Sequence, residues 1–512
     1  MRSSKALKNI IVALVYEILL ILFGLVVPKL IIATYGSEVN GLTSTITQIL
    51  QIVSLLQAGA AGASIFQMYK PVAEKDYYQV SRVLAASRKY FCKIGIIFLI
   101  IVAAILPFVG LGVKSELAVW EKSLAFLILG LNGSFYFFFT SWFDILFASH
   151  QQRYFMSLAG IVEKVVYYGL IFLIVFLKLH FAWMYVAVLF CTVIKLVLLY
   201  IVYCKSFKPL LVPIENDRDF KIKNRGYLFL NQLAAQAVDG FPTVIITSIA
   251  GLSCASVYAV YNLVQNMIKM VVNTLQHSIS EVFGNLVVSE KDERIRDVFD
   301  LLEFLFFVMA VILCCCAGFL FMPFVYLYTE GNTYDVSYMY PLLATVIVAY
   351  DVVFCMYLPY SLLTNVYGLF KETYLQAVIC SIISIAAAVG FGLIHWTLVL
   401  VGPVIYYVSS IVYRLAVARK KIAWFRLKGF ARRMATLILV VGVYLFASNG
   451  FYANGYSTSW FSWLVHAVAC GLSVLCVVGL YALLFERKAT KGLVQYAKRL
   501  LKRKMNKTKE SV

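Results

Sequence analysis

The sequence predicts an all-α polytopic membrane protein of fourteen transmembrane helices, and three observations lead there. Hydrophobic residues make up 62% of the 512 and charged residues only 14%, far below the roughly 25% charged of soluble domains. Apolar runs longer than the about 18 residues that cross a bilayer recur from end to end. Laid on itself, the chain also repeats its punctuation: Pro28 meets Pro242, Gly36 meets Gly251, Glu74-Lys75-Asp76 meets Glu290-Lys291-Asp292, Pro107 meets Pro323, His180 meets His395 and Lys205 meets Lys420. One spacing of about 215 residues serves every pair, as an internal duplication requires.

Helix 1 is expected over residues 8–35. Its basic start resembles a signal peptide, but the apolar part from Asn9 to Ile32 exceeds the about 7 to 15 residues of an h-region and no Ala-x-Ala-like site follows. It is read as a retained helix. The break at Tyr35-Gly36-Ser37 opens helix 2 over 38–68, and helices 3 to 6 follow over 83–110, 119–148, 154–178 and 181–204. The segment 206–222, with Pro209, Pro213 and mixed charges from Glu215 to Arg218, is the longest linker and falls where the two copies join. Helices 7 to 12 are expected over 225–250, 254–288, 298–328, 337–367, 372–394 and 396–418, cut at Gly251-Leu252-Ser253, Gly331-Asn332 and Tyr367-Gly368. Helices 13 and 14, over 431–449 and 459–486, are parted by Asn449-Gly450 and stand outside the repeat. The domains expected are an N-lobe over 1–205, a linker over 206–222, a C-lobe over 223–421, helices 13 and 14 within 422–486, and a basic tail over 487–512.

Charge fixes the orientation. With both termini on the cytoplasmic side, most Lys and Arg fall in segments facing that side, while Lys29, Lys114, Lys122 and Lys178 lie near the other face and Lys164, Lys195 and Lys269 sit within helices. This is the positive-inside pattern and places the chain in a cytoplasmic membrane. The net charge of +20 belongs to helix ends and the tail, which anionic lipid attracts at about 1 kcal/mol per cation. Membrane lipids, not nucleic acid, are the expected partners. Six helices per copy is an even number, so both copies enter from one side. They are expected as two parallel six-helix lobes related by a pseudo-twofold along the membrane normal, with a substrate site at the repeat interface and access alternating as one lobe rocks against the other.

The stretch from Asn231 to Ser289 carries Asn231, Gln232, Gln236, Asp239, Pro242, Asn262, Gln265, Asn266, Lys269 and His277 inside spanning segments. A charge near the centre of a spanning helix costs at least about 2.5 to 3.5 kcal/mol, so such residues face a bundle interior or a wet cavity. A second polar stripe, Gln48, Gln51, Ser54 and Gln57, runs along helix 2 at spacings that share one side. It either offers neutral hydrogen bonds to a ligand in a cavity or ties helices together.

Helix 2 with its flanks, Tyr35-Gly36-Ser37-Glu38-Val39-Asn40-Gly41-Leu42 through Gln57-Ala58-Gly59 to Tyr69-Lys70, and helix 8, Val257-Tyr258-Ala259-Val260-Tyr261-Asn262, resemble the Wzx-type bacterial polysaccharide flippases of the multidrug/oligosaccharidyl-lipid/polysaccharide (MOP) exporter superfamily. The resemblance covers nearly the whole chain, including the fourteen-helix count. It implies two six-helix lobes in a V, helices 1, 2, 7 and 8 lining a central cavity, and an undecaprenyl-diphosphate-linked oligosaccharide moved to the outer leaflet. Other glycan-assembly membrane proteins are then candidate partners.

The chemistry of such a cargo selects residues. A lipid pyrophosphate is at least doubly negative and needs cations, hydroxyls and amides, so Lys29, Lys269, Gln51, Gln57, Asn231, Gln232 and Asn262 are the candidate substrate-binding residues. Lys269 is either paired with Asp239 or turned to substrate, and the pair could open on binding. Glu17, Asp144, Asp239 and Asp351 are intrahelical carboxylates. Each is a candidate for coupling to a proton or sodium gradient, since burial raises a carboxyl pKa and a cation restores balance, or else a static interhelical acceptor. Glu163 and Lys164 neutralise each other locally in helix 5. Pro28 and Pro242 occupy matching places and read as hinges of the rocking motion or as tolerated kinks, since proline removes a backbone N–H.

Other classes lose support. The sequence has no G-x-x-x-x-G-K-[ST] and so no ATPase signature, and its outer loops are too short for a catalytic domain. No enzyme activity, metal or cofactor is expected beyond the coupling ion. The cysteines, with no C-x-x-C pair, read as small buried hydrophobes. Two alternatives to the oligosaccharide flippase stay open: an antiporter for small drugs or cations, and a flippase for the peptidoglycan precursor lipid II.

Overall fold

In the computed structural model the described residues are 2–57, 64–65, 67–68, 71–72, 74–150, 152–212, 226–329, 336–427, 429–437, 439–440 and 459–486; of residues 2–10, 13–14, 226–229, 232, 277–278, 280–282, 285, 288–289, 314 and 484–485 only the backbone is described. The basic tail, most of the 206–222 linker, and much of expected helix 13 lie outside them.

The described chain is helical throughout, with no strand among the described residues. In order come α1 (Arg2–Tyr35), α2 (Ser37–Ser54, continued by a 3-10 turn over Leu55–Gln57), α3 (Tyr77–Pro107), α4 (Val119–Ser149), α5 (Tyr154–Phe176), α6 (Ala182–Ser206), α7 (Gly226–Ala250), α8 (Leu252–Ser289), α9 (Asp292–Thr329), α10 (Pro341–Val366), α11 (Phe370–Ile394) and α12 (Val401–Lys421). Helical residues 429–437 and 439–440 form α13, and Trp460–Phe485 forms α14. Among the described residues twelve helices are long and apolar enough to cross a membrane, so the chain is a polytopic membrane protein. Of the fourteen spans expected, α8 forms as a helix of 38 residues but is not one of the twelve: Asn262, Gln265, Asn266 and Lys269 dilute its hydropathy. Only part of α13 is described.

The duplication is visible in local geometry. Gly36 and Gly251 both take positive φ, 85° and 88°, and donate their N–H to Ile32 O and Thr247 O, each at 3.1 Å. Each ends one helix and lets the next begin a residue later, at a conformation only glycine adopts without strain. His180 Nδ1 accepts from the N–H of Ala182 at 3.2 Å, and His395 Nδ1 from the N–H of Thr397 at 3.4 Å. The two histidines perform the same turn before the sixth helix of each copy.

Two compact units divide the chain: Met1–Leu263 with Gly331–Ser337, and Val264–Glu330 with Tyr338–Val512. In the first, α1 packs on α5, α4 on α6, and α2 on α7. Small residues set the close approaches: a Cβ on Gly160 would meet the Tyr16 ring at 2.9 Å, one on Gly130 the Val102 side chain at 2.6 Å, and one on Gly240 the Ile52 side chain at 2.8 Å. Gly41 of α2 lies so close to the head of α8 that an added Cβ would overlap the Leu252 carbonyl oxygen. Around it Asn40 Nδ2 donates to Ser256 Oγ at 2.8 Å and the hydroxyls of Thr45 and Thr247 meet at 2.7 Å.

In the second unit α9 packs on α10 and α14, α10 on α12, and α11 on α12. Trp463 of α14 donates its indole N–H to Leu320 O at 3.2 Å. A buried ionic cluster joins α9, α13 and the end of α14: Arg433, 2% exposed, pairs with Glu303 at 2.7 Å and with Glu486 at 3.0 Å. The hydroxyl of Tyr360 donates to Glu303, and Arg432 reaches Glu486 from outside. On sequence Arg433 counts as one more loop cation. The structure adds that two carboxylates, Glu303 and Glu486, balance it.

Candidate functional site

The polar side of α2 opens on a cleft in the first unit. Thr47, Gln51, Ser54 and Gln57 recur at helical spacing and line a cavity of about 350 Å³, closed by Asn132 and Tyr136 of α4 and by the rings of Phe98 and Phe137. Gln48, one step round the helix, instead faces Gly240 of α7. Gln57 Oε1 and Asn132 Oδ1 are buried and have no hydrogen-bond partner among the described residues. A buried amide carbonyl without a donor costs about 1 to 3 kcal/mol, so this cleft presents acceptors that a hydroxyl-bearing ligand satisfies. The wall of α4 changes pitch where the cleft meets it, in a π-helical turn over Tyr136–Thr140. Such turns re-aim side chains and gather at functional sites. Thr47, Asn132 and Tyr136 escaped the sequence reading; the available signal was Asn132 as an amide inside an apolar run.

The second constellation lies in the other unit, where long side chains of α8 reach α10. Gln265 and Lys269, one turn apart, meet Tyr350, Asp351 and Phe354. Asp351 is 2% exposed and Gln265 1%, and Gln265 Nε2 donates to Asp351 Oδ1 at 3.3 Å. Lys269 holds its ammonium 4.5 Å from the Tyr350 ring centroid and 5.7 Å from that of Phe354. Tyr407 of α12 closes the aromatic wall, 5.5 Å from Tyr350 and 5.3 Å from Phe354. Deeper along α10, Arg414 lies over Tyr357 at 5.2 Å and donates to the hydroxyl of Thr364. A buried carboxylate, one residue on from a ring that faces a lysine, is chemically able to exchange a proton or a small cation.

The remaining expected residues are placed as follows. Asp144 is held by Arg153, Nε to Oδ1 at 3.0 Å and Nη2 to Oδ2 at 2.9 Å, a bidentate fork across the turn between α4 and α5. Glu163 is bound on two sides, to Lys195 of α6 at 2.8 Å and to Lys164 at 3.6 Å; the local pair expected in helix 5 is thus a bridge to α6 as well. Glu17 is exposed on α1, next to the Tyr16 that packs on Gly160. Lys29, Asn231, Asp239 and Asn262 are half-buried in the first unit. Gln232 lies on α7 with its side chain outside the described ones. Pro28 sits inside α1 and Pro242, buried, inside α7. The structure thus gathers Gln51 with Gln57, and Lys269 with Asp351 through Gln265 and Tyr350.

No protein-family model and no curated protein sequence matches the chain. Solved structures do. An inward-closed structure of the lipid II flippase MurJ superposes with a TM-score of 0.62 at 14% identity, over 91% of this chain and 99% of that one. An inward-facing multidrug resistance MATE family transporter of the MOP superfamily gives 0.61 at 16% identity, over 78% and 96%. The fold is that of the MOP superfamily transporters. A third MOP superfamily transporter, from Pyrococcus furiosus, gives 0.54 at 15% identity over 86% of this chain and 95% of that one. The expected superfamily fold is therefore present, and of these three structures the flippase covers the most of this chain, 91%.

Proposed function

We propose that the protein is a membrane transporter that flips a polyprenyl-diphosphate-linked oligosaccharide, of the undecaprenyl kind, from the inner to the outer leaflet of a bacterial cytoplasmic membrane. The observation that supports this reading is the extent of the fold likeness, which runs with a lipid II flippase over 91% of this chain and 99% of that one. The cleft chemistry supports it. Thr47, Gln51, Ser54, Gln57 and Asn132 are neutral hydrogen-bonding groups suited to sugar hydroxyls, Lys29 offers the first unit's cation for a pyrophosphate, and Lys269 is the corresponding cation of the second unit. Asp351, buried against Gln265 and beside Lys269, is the group we assign to coupling with a proton or sodium gradient. Pro28 and Pro242 supply the hinges of alternating access.

The test is complementation. Cells lacking the gene should accumulate the lipid-linked oligosaccharide in the inner leaflet and lose the surface glycan, and the wild-type gene should restore export without changing the efflux of cationic dyes. Dye efflux that follows the gene while glycan export does not would make the chain a drug antiporter, the reading to which the MATE likeness points.

A further inference from the structure

A second and larger cavity lies in the first unit, between α3, α4 and α6, and the functional reading leaves it unused. It encloses about 1070 Å³. Its mouth is basic: Arg82, Arg88, Lys89 and Lys208 line it, and no carboxylate does so among the described residues. Behind the cations stands Trp142, 8% exposed, whose indole N–H has no partner among the described residues. Arg88 is carried 5.7 Å over its ring, and Tyr203 meets the ring edge-on at 5.0 Å. The rest of the wall is apolar and outward-facing, from Phe139, Val193 and Val197, 45%, 46% and 52% exposed. One end of the groove therefore gathers cations and the Trp142 N–H with no carboxylate among the described residues, and the other is fit for hydrocarbon.

We infer that this groove is a binding site for one anionic glycerophospholipid, with its phosphate among Arg88, Lys208 and the Trp142 N–H and an acyl chain along Phe139, Val193 and Val197. Charge complementarity selects a phosphate head over a zwitterionic one, since no carboxylate is present to receive an ammonium. The lining also discriminates against a saccharide head. Among the described residues it holds no Asn or Gln, and its one serine hydroxyl, Ser81, already accepts from the N–H of Val212 at 3.0 Å. The bound lipid is a resident of the first unit and not the cargo.

The experiment adds phosphatidylglycerol or phosphatidylcholine back to the delipidated full-length protein and counts retained lipid by native mass spectrometry. Phosphatidylglycerol should be retained selectively, and binding should weaken by about fivefold for each cation removed in Arg88→Ala and Lys208→Ala. Lys93→Ala, on α3 but outside the groove, should bind like the wild type. Val197→Trp, which keeps every cation and fills the apolar end, should also weaken retention, so the test survives if an arginine variant fails to fold. Equal retention of phosphatidylcholine, unchanged binding in Arg88→Ala and Lys208→Ala or in Val197→Trp, or displacement of phosphatidylglycerol by a polyprenyl phosphate would overturn the assignment.

Discussion

The ammonium of Lys269 stands 4.5 Å from the ring of Tyr350, one residue before a carboxylate, Asp351, that is 2% exposed. A cation over a ring contributes about 0.5 to 2 kcal/mol, a part of the hold on Lys269 that does not depend on the charge of Asp351. Asp351→Asn should therefore uncouple export from an imposed proton or sodium gradient while the protein inserts normally. Lys269→Ala should lower export by roughly tenfold, the equivalent of about 1.4 kcal/mol, and Lys269→Arg should retain most of it. Gradient-driven glycan export in membrane vesicles checks all three.

The cleft on α2 predicts a trade between stability and transport. Gln57 and Asn132 each keep a buried carbonyl without a donor among the described residues. Replacing such a group by an apolar one of similar size removes a desolvation cost of about 1 to 3 kcal/mol. Gln57→Leu and Asn132→Leu should raise the melting temperature in detergent and reduce export. A variant that melts lower while exporting normally would make these carbonyls structural.

Gly41 tests the head of the α2 and α8 contact. Gly41→Ala places a methyl group on the Leu252 carbonyl oxygen, which backbone holds in place, and should destabilise by about 1 to 3 kcal/mol. Gly240→Ala meets side chains, Ile52 and Gln48, and no backbone atom among its nearest neighbours, and should cost less. Thermal melts of the two variants give the comparison directly.

The ionic cluster of the second unit predicts an asymmetry. Arg433→Met leaves Glu303 buried and uncompensated and Glu486 with Arg432 alone, at a cost of about 3 to 5 kcal/mol. Adding Glu303→Leu and Glu486→Leu to it should recover most of that loss. The recovery, read from denaturation midpoints, separates desolvation from packing.

Much of this architecture was legible in the chain. The breaks at Gly36 and Gly251 were readable because their positive φ demands glycine, and His180 and His395 because one spacing joined them. Lys269 and Asp351 stood out as charges inside apolar runs. What the sequence could not supply was contact between helices: Lys269 lies against the rings of Tyr350 and Phe354 on α10, and no pattern of spans encodes which helix lies beside which. Asn132 escaped because a single amide beside Gly133 reads as local punctuation. Glu303 and Arg433 escaped because the basic cluster around Arg433 resembles any other loop, while its partner Glu486 lies 53 residues further on.

The central claim is that an anionic, glycan-bearing lipid crosses the membrane through this protein. Purified protein in liposomes, loaded with undecaprenyl-diphosphate oligosaccharide on the inner leaflet and given a proton or sodium gradient, measures it as glycan reached by an external lectin. Our account predicts lectin binding that rises with time and the gradient and is lost in Asp351→Asn. Lectin binding no faster than in protein-free liposomes, under either gradient, would contradict it.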